Sequence, residues 1–276
     1  MPLRKEPNGR RSIQVEVEVP GTPEQVWQAI ATGPGISAWF VPTEMVPGPD
    51  GKPEKMKMQF GPGMDSVATI TAYDAPRRLA AEDSWGPGSP VIATEWTVEA
   101  RSGGTCVVRV VHSLFAETDD WDNQLEGVET GWPGFFRILK HYLENFRGQR
   151  SASMQMLGMG GSSVDEIWNK LLGELGLAGA REGQRVKASV SGATLSGVVS
   201  AVVPIHKAVK HEEAALQVHL EAPASGVLAL AAHNCMGAPM AMVSFYLYGS
   251  DADSVVKRDS AKWQKWMGEK FPMPQM

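Results

Sequence analysis

Between Ile13 and Val19 the chain alternates without a break, with Ile13, Val15, Val17 and Val19 set against Gln14, Glu16 and Glu18. That period of two, carried by β-branched residues, predicts a half-buried strand. Pro20-Gly21 stops it. Thr22-Pro23-Glu24-Gln25 then has the form of a helix start, with Thr22 as N-cap, Pro23 in the first turn and Gln25 closing a capping box. Val26, Trp27 and Ile30 supply that helix with an inward stripe. Gly33-Pro34-Gly35 reads as its breaker, and Ile36 to Phe40 as a second short helix ending before Pro42. Short strands follow, bounded by Pro, Gly or Asp: one through Met56, Met58 and Phe60, then Val67–Tyr73, Arg77–Trp85, Val91–Glu99 and Thr105–Leu114. In the last two, Ile92, Trp96 and Val98, then Cys106, Val108, Val110, His112 and Leu114, share one apolar face. Strands so closely spaced predict an antiparallel meander. The longest helical pattern comes next, with Leu125, Val128, Trp132, Phe135, Phe136, Leu139, Tyr142, Leu143 and Phe146 at steps of three and four. Gly131, Pro133 and Gly134 predict a kink there, or a start delayed to about Trp132.

The remainder repeats this order. Ser163-Val-Asp-Glu-Ile-Trp168 echoes Thr22-Pro-Glu-Gln-Val-Trp27 at a distance of 141 residues. A strand around Met154–Leu157 precedes it. A helix through Val164, Ile167, Trp168, Leu171, Leu172 and Leu175 follows. Strands are then expected at Val186–Val190, Leu195–Val203, Ala215–Leu220, Val227–His233 and Met240–Tyr248, and a closing helix over Ser254–Lys270. A shared element order supports a tandem duplication with its boundary near Gly148–Ser153. Domains are therefore expected at 1–150 and 151–276.

Composition narrows the function classes. Of 276 residues 43% are hydrophobic, and the formal net charge is −5, which excludes a disordered chain. No apolar run is long enough to span a bilayer. Met1–Arg11 lacks the apolar stretch of a secretory signal, so a cytoplasmic protein is expected. Residues 1–150 carry 15 Lys and Arg against 20 Asp and Glu, and residues 151–276 carry 11 against 11. Neither part offers the basic stripe that nucleic-acid binding requires. Two distant cysteines give no thiolate zinc site. Six of the nine tryptophans lie in the first half, which marks it for something beyond core filling.

Val17–Trp27 (VEVPGTPEQVW), the Trp39-Phe40 pair after Ile36, Gly131-Trp132, and Leu139–Glu144 together resemble the START-like, or SRPBCC, superfamily. Within it the likeness is greatest to the family named for activators of the heat-shock chaperone ATPase. His112 and Asp83-Ser-Trp85 also sit where that family has similar residues. The resemblance covers about residues 12–147. It implies an α+β fold of tandem helix-grip modules, each an antiparallel sheet wrapped around a long C-terminal helix. A seven-stranded sheet and a cavity are implied for the first. Members bind lipids, sterols, hormones and polyketides, some cyclise polyketides, and a bacterial subset confers self-resistance to enediyne antibiotics.

The expected ligand site is aromatic and thioether-rich: Trp39, Phe40, Met56, Met58, Phe60, Trp85, Trp96, Trp132, Phe135 and Phe136, with His112 and Asp83 as polar members. Flat rings and adaptable methionines suit a rigid apolar molecule, although each could equally be ordinary core. His112 either contacts a ligand or is a core histidine satisfied by one neighbour. Asp83 either faces the interior, where it could pair with His112, or is solvated at a strand end. Were the protein an enzyme, of polyketide cyclase or dehydratase type, these two would be its acid–base pair. They lack the placed nucleophile of a triad.

Gly158–Ser163 resembles a degraded dinucleotide fingerprint but reads as a turn with Ser162 or Ser163 as cap. His206, His211, His219 and His233 lack ligand spacing, so no metal and no cofactor is expected, and His219 is expected to face water beside Gln217 and Glu221. Asp119–Asp122 reads as the acidic first turn of the long helix rather than a calcium loop. The partner expected is a small hydrophobic ligand, bound by a monomer for sequestration, carriage or enediyne self-resistance. A cyclase and a chaperone-ATPase activator are the other readings. The second domain is expected to be a divergent, structural copy.

Overall fold

The structure, a computed structural model, describes residues 3–61, 64–84, 88–116, 118–204, 213–235 and 237–273. The chain divides into two compact units, Met1–Gly148 and Gln149–Met276. In the first, β1 (Arg4–Lys5), β2 (Arg10–Pro20), β3 (Thr43–Pro47), β4 (Pro53–Gln59), β5 (Asp65–Asp74), β6 (Arg78–Ser84), β7 (Val91–Arg101) and β8 (Thr105–Phe115) form one antiparallel sheet. Its order is β1-β2-β8-β7-β6-β5-β4-β3, so the sheet is a meander whose first long strand returns to pair with its last. Eight strands are present rather than the seven implied by resemblance, because the two-residue β1 adds to the edge of β2. The alternation in β8 is as the sequence predicts: Cys106, Val108, Val110, His112 and Leu114 are buried, and their neighbours are not.

The short helices α1 (Pro23–Ala31) and α2 (Gly33–Ser37) cross between β2 and β3. Thr22 caps α1 by accepting from the Gln25 amide, while the Gln25 side chain accepts from the Thr22 amide. The first helix does end here, at Thr32, whose extended backbone (φ −123°, ψ 151°) separates α1 from α2, but the Gly33-Pro34-Gly35 triplet is the first turn of α2 rather than a gap before it. Thr32 caps it by accepting from the Gly35 amide, and a proline in a first turn sacrifices no intrahelical bond. The glycines are there for closeness. A Cβ on Gly35 would lie 1.8 Å from the Gln28 carbonyl oxygen, and one on Gly33 would lie 2.8 Å from that of Thr43.

The long helix α3 (Asp122–Asn145) packs on β2 and is unbroken through Gly131, Pro133 and Gly134. It therefore starts ten residues before Trp132, not at it. Asp119–Trp121 forms a 3₁₀ turn ahead of it. The early start is held by charge from the other end of the unit. Arg11, itself buried, donates to Asp122 at 2.7 Å, to Asp119 at 2.7 Å and to the Ala116 carbonyl at 2.6 Å, and Lys5 pairs with both aspartates. Hydrogen bonds from Lys5 and Arg11 hold the Asp119 carboxyl below the usual range.

The second unit follows the same plan. After β9 (Ser151–Met159) and α4 (Val164–Glu174) come β10 (Arg185–Val190), β11 (Ala193–Val203), β12 (Glu213–Ala222), β13 (Gly226–Cys235) and β14 (Ala238–Tyr248), then α5 (Ala252–Lys270). The antiparallel order is β10-β11-β12-β13-β14-β9, and again the first strand pairs with the last. Ser163, the counterpart of Thr22, caps α4 by accepting from the Glu166 amide, and Glu166 accepts in return from Ser162. The Gly158–Ser163 segment is thus the end of β9 and a cap. The core of this unit is aliphatic, closed by Trp263, Trp266, Met267 and Phe271 against Phe245. Each unit is thus an antiparallel sheet with a long closing helix, and the fold is α+β in tandem helix-grip modules.

Candidate functional site

The site is built on the β7–β8 hairpin. Ser102-Gly103-Gly104 turns the chain with both glycines at positive φ, +85° and +78°, where a side chain would be strained. Arg101 pairs with Thr105 across that turn. Every later rung follows in strict register, so Trp96 faces Val110, Thr94 faces His112 and Ile92 faces Leu114, all on the face that α3 covers.

His112 is 8% exposed, and both ring nitrogens are engaged. The indole Nε1–H of Trp132, on α3, donates to His112 Nε2 at 2.9 Å. Nδ1 lies 2.9 Å from the Thr94 hydroxyl oxygen. An indole N–H can only donate, so Nε2 must be the unprotonated nitrogen and the ring's single proton sits on Nδ1, donated to Thr94. The Trp132 and His112 planes are inclined by 19° with centroids 5.7 Å apart. Burial pushes the imidazole pKa down to about 4. His112 is neutral at pH 7, and its one lone pair is already occupied.

Trp132 is also the hub of the rings. Its centroid lies 4.9 Å from that of Trp96, 5.2 Å from Phe40, 5.4 Å from Phe136, 6.2 Å from Phe135 and 6.5 Å from Trp39. Phe40 in turn meets Phe135 at 4.7 Å and Phe60 at 5.7 Å. Trp39 hangs from α1 by an indole hydrogen bond to the Ala29 carbonyl at 2.9 Å. Trp96 Nε1 finds no acceptor among the described residues. Trp39, Trp96, Trp132 and Phe136 are buried, whereas Phe40, Phe60 and Phe135 are half-buried and form the outer side of the cluster. Met56 is buried and Met58 half-buried, on the same face as Ala68 and Ser66 of β5. Met45 on β3 pairs with Met56 and joins them, a member that the sequence pattern did not bring out.

Asp83 does not pair with His112. It lies on the inner face of β6 opposite Ile92, one rung beyond the Thr94–His112 pair, and accepts from Ser66 Oγ and from the Ser84 amide. Trp85 lies outside the described residues, as do His206 and His211. Thr94 is the other residue that sequence reasoning missed. Counting back from the Gly-Gly turn would have placed it opposite His112. Of the remaining chemistry, Cys106 donates its thiol to the Gly21 carbonyl, and burial raises its pKa, which keeps it protonated. His219 is half-buried between a buried Gln217 and an exposed Glu221, so that face of β12 meets water at its Glu221 end and not along the whole stretch expected. Among the described residues no three His, Cys, Asp or Glu side chains are grouped to hold a metal. No described helix is long and apolar enough to cross a membrane.

No curated protein matches the chain. Among solved structures, CalU16 from Micromonospora echinospora is 20% identical over 52% of this chain and 83% of its own, with a TM-score of 0.41. DynU16, a protein of the dynemicin biosynthetic locus, is 17% identical over 93% of this chain and 95% of its own, with a TM-score of 0.41. The Aha1 dimer from Colwellia psychrerythraea is 21% identical over 49% of this chain and 96% of its own, with a TM-score of 0.37. The family described as polyketide cyclase / dehydrase and lipid transport matches residues 10–150, which span β2 to α3, the hairpin, the gripped helix and every described ring of the cluster. The protein belongs to that family.

Proposed function

We propose that the first unit binds a small, flat, uncharged hydrophobic molecule against the ring cluster, and that it holds or carries this ligand rather than transforming it. The observation that carries the reading is the hydrogen bond from Trp132 to His112. It uses the only lone pair with which the imidazole could act as a base, and among the described residues no other titratable side chain is in hydrogen-bond contact with it. A flat ligand gains area against Phe40, Phe60, Phe135 and the methionines on the half-buried side, where the rings are not yet fully covered. Burying such a molecule contributes about 25 cal/mol per Å² of apolar surface, before the entropy of association is set against it.

The family description names cyclases and dehydrases alongside lipid transport, so an acid–base enzyme is the second reading. For it, His112 would have to release Trp132, and Asp83 would have to leave Ser66. Enediyne self-resistance is a narrower form of the first reading, in which the sequestered ligand is the antibiotic.

The test is a titration of the full-length protein with polycyclic aromatic hydrocarbons and ketones, followed by tryptophan fluorescence and native mass spectrometry. Saturable quenching with a one-to-one adduct supports binding. Turnover of a poly-β-ketone that is lost in His112→Ala would favour the enzyme instead.

A further inference from the structure

Each of the two sheets ends in two edge strands, and three of these four edges are guarded against pairing with another chain. β1 is two residues long and both are basic, Arg4 and Lys5. β3 carries Glu44, ends in Pro47 and shifts register beside it. β10 exposes Arg185 and Lys187 in turn. Shortness, charge, proline and bulges are the usual means by which an edge strand is kept from adding to a foreign sheet. β9 has none of them. Its nine residues, Ser151–Met159, include no ionisable side chain and no proline, and they pair with β14 in unbroken register. On its other edge no backbone group of β9 has a partner among the described residues. The equivalent strand of the first unit is treated differently. There β1 pairs with Ser12 and Arg11 of β2, and Glu16 and Glu18 charge the rest of the strand.

The occupant follows from the sequence of the strand itself. Ser153-Met154-Gln155-Met156-Leu157 is close to a palindrome about Gln155. A second copy laid antiparallel about that residue sets Met154 against Met156 and Ala152 against Gly158 on the inner face. On the outer face it sets Gln155 against Gln155 and Ser153 against Leu157. Thioether meets thioether, small meets small, and no charge meets another. Met154 and Met156 already belong to the buried core of the unit, so this pairing extends that core. Gly158 has to stay small for a reason of its own, since a Cβ there would lie 2.5 Å from that of Phe271. The charge next to the strand, Arg150, is tied to Asp253.

We infer that the free edge of β9 docks a second copy of this chain, paired antiparallel about a two-fold axis at Gln155, so that two six-stranded sheets become one continuous sheet. The monomer expected from the sequence is then the dissociated form. Analytical ultracentrifugation of the full-length protein over a wide range of concentration reads the association directly, and a dimer is expected. Hydrogen exchange at the Ser151–Met159 amides should slow as concentration rises. Gln155→Lys and Gln155→Glu each put two like charges opposite one another and should raise the dissociation constant by about tenfold or more. In a two-fold contact residue 155 faces itself, so an equal mixture of the two variants should pair again, which misfolded variants would not do. Circular dichroism checks that both are folded, and the exchange experiment on the wild-type protein needs no variant at all. A monomer at every concentration overturns the inference. So does a dimer that both charged variants leave intact, a mixture of folded variants that stays monomeric, or β9 amides that exchange alike at all concentrations. An extended segment of another protein found on β9 would overturn the choice of occupant.

Discussion

The two units are wound alike and filled differently. In each, the first strand pairs with the last, a Ser or Thr caps the helix that follows it, and a long helix closes the sheet. In the second unit that helix brings Trp263 and Trp266 onto an aliphatic core. Its one buried carboxylate among the described residues, Asp259, is neutralised on the spot by Arg258 and Lys262, and their hydrogen bonds hold it below the usual carboxylate range. In the first unit the helix brings Trp132 onto a histidine and a threonine of the sheet. The two closing helices thus meet different sheet faces: one holds a buried imidazole hydrogen-bonded to two other elements, the other an aliphatic surface.

The sharpest way to break that contrast is to truncate the two central tryptophans. Trp132→Ala and Trp263→Ala should each cost about 3–5 kcal/mol, seen as a lower denaturation midpoint. Ligand quenching should vanish in the first and survive in the second. Equal loss of binding in both would end the assignment of the site to the first unit.

Acid should act next most strongly. A folded-state pKa of about 4 against an ordinary 6.5 means that the unfolded chain takes up the His112 proton first as pH falls. The stability from the neutral ring is therefore complete above about pH 6.5 and is lost between pH 6.5 and 4, roughly 3 kcal/mol in all. His233 in the second unit is lowered by burial too and works in the same direction. Urea midpoints from pH 4 to 7 should flatten in part in His112→Gln and in part in His233→Gln. A slope unchanged in His112→Gln would show that the ring is not held neutral.

The caps should behave as a matched pair. Thr22→Ala and Ser163→Ala are each expected to cost about 1 kcal/mol, which tests whether the duplicated helix starts remain equivalent.

The smallest effect is a gain. Gly131 in α3 and Gly173 in α4 have open space where a Cβ would stand, so alanine should stabilise each helix by about 0.5–1 kcal/mol. Only Gly131→Ala, one residue from the hub tryptophan, should also weaken ligand binding. If it does not, the space beside Gly131 belongs to solvent.

Much of this was legible in the sequence because it rests on local periodicity. The strict alternation of Thr105–Leu114 gave β8 and its buried face, and Thr22 and Ser163 announced their helices. What misled was local chemistry that serves a distant neighbour. Gly33-Pro34-Gly35 looks like a gap between helices, yet it is the first turn of α2, with Gly35 lying too close to the Gln28 carbonyl to carry a side chain. The early start of α3 is paid for by Arg11, more than a hundred residues away in the chain. Asp83 was a natural partner for His112 by charge, but charge says nothing of rungs. Register from the Gly-Gly hairpin gives the histidine Thr94, and a helix from outside the sheet gives it Trp132.

The return of the first strand to the last has a consequence for how the chain is made. β2 cannot complete its pairing until β8 has left the ribosome, and β9 must wait in the same way for β14. The intervening strands can pair in order as they emerge, each with the one before it, so both units grow as open meanders. The wait spans seven elements for β2 and five for β9, whose Met154, Met156 and Leu157 stay unpartnered meanwhile. By then the first unit already has its own closing helix. Slow codons or a chaperone would be felt in both intervals, residues 21–104 and 160–237, and a truncation in either would leave a strand seeking a partner in another chain.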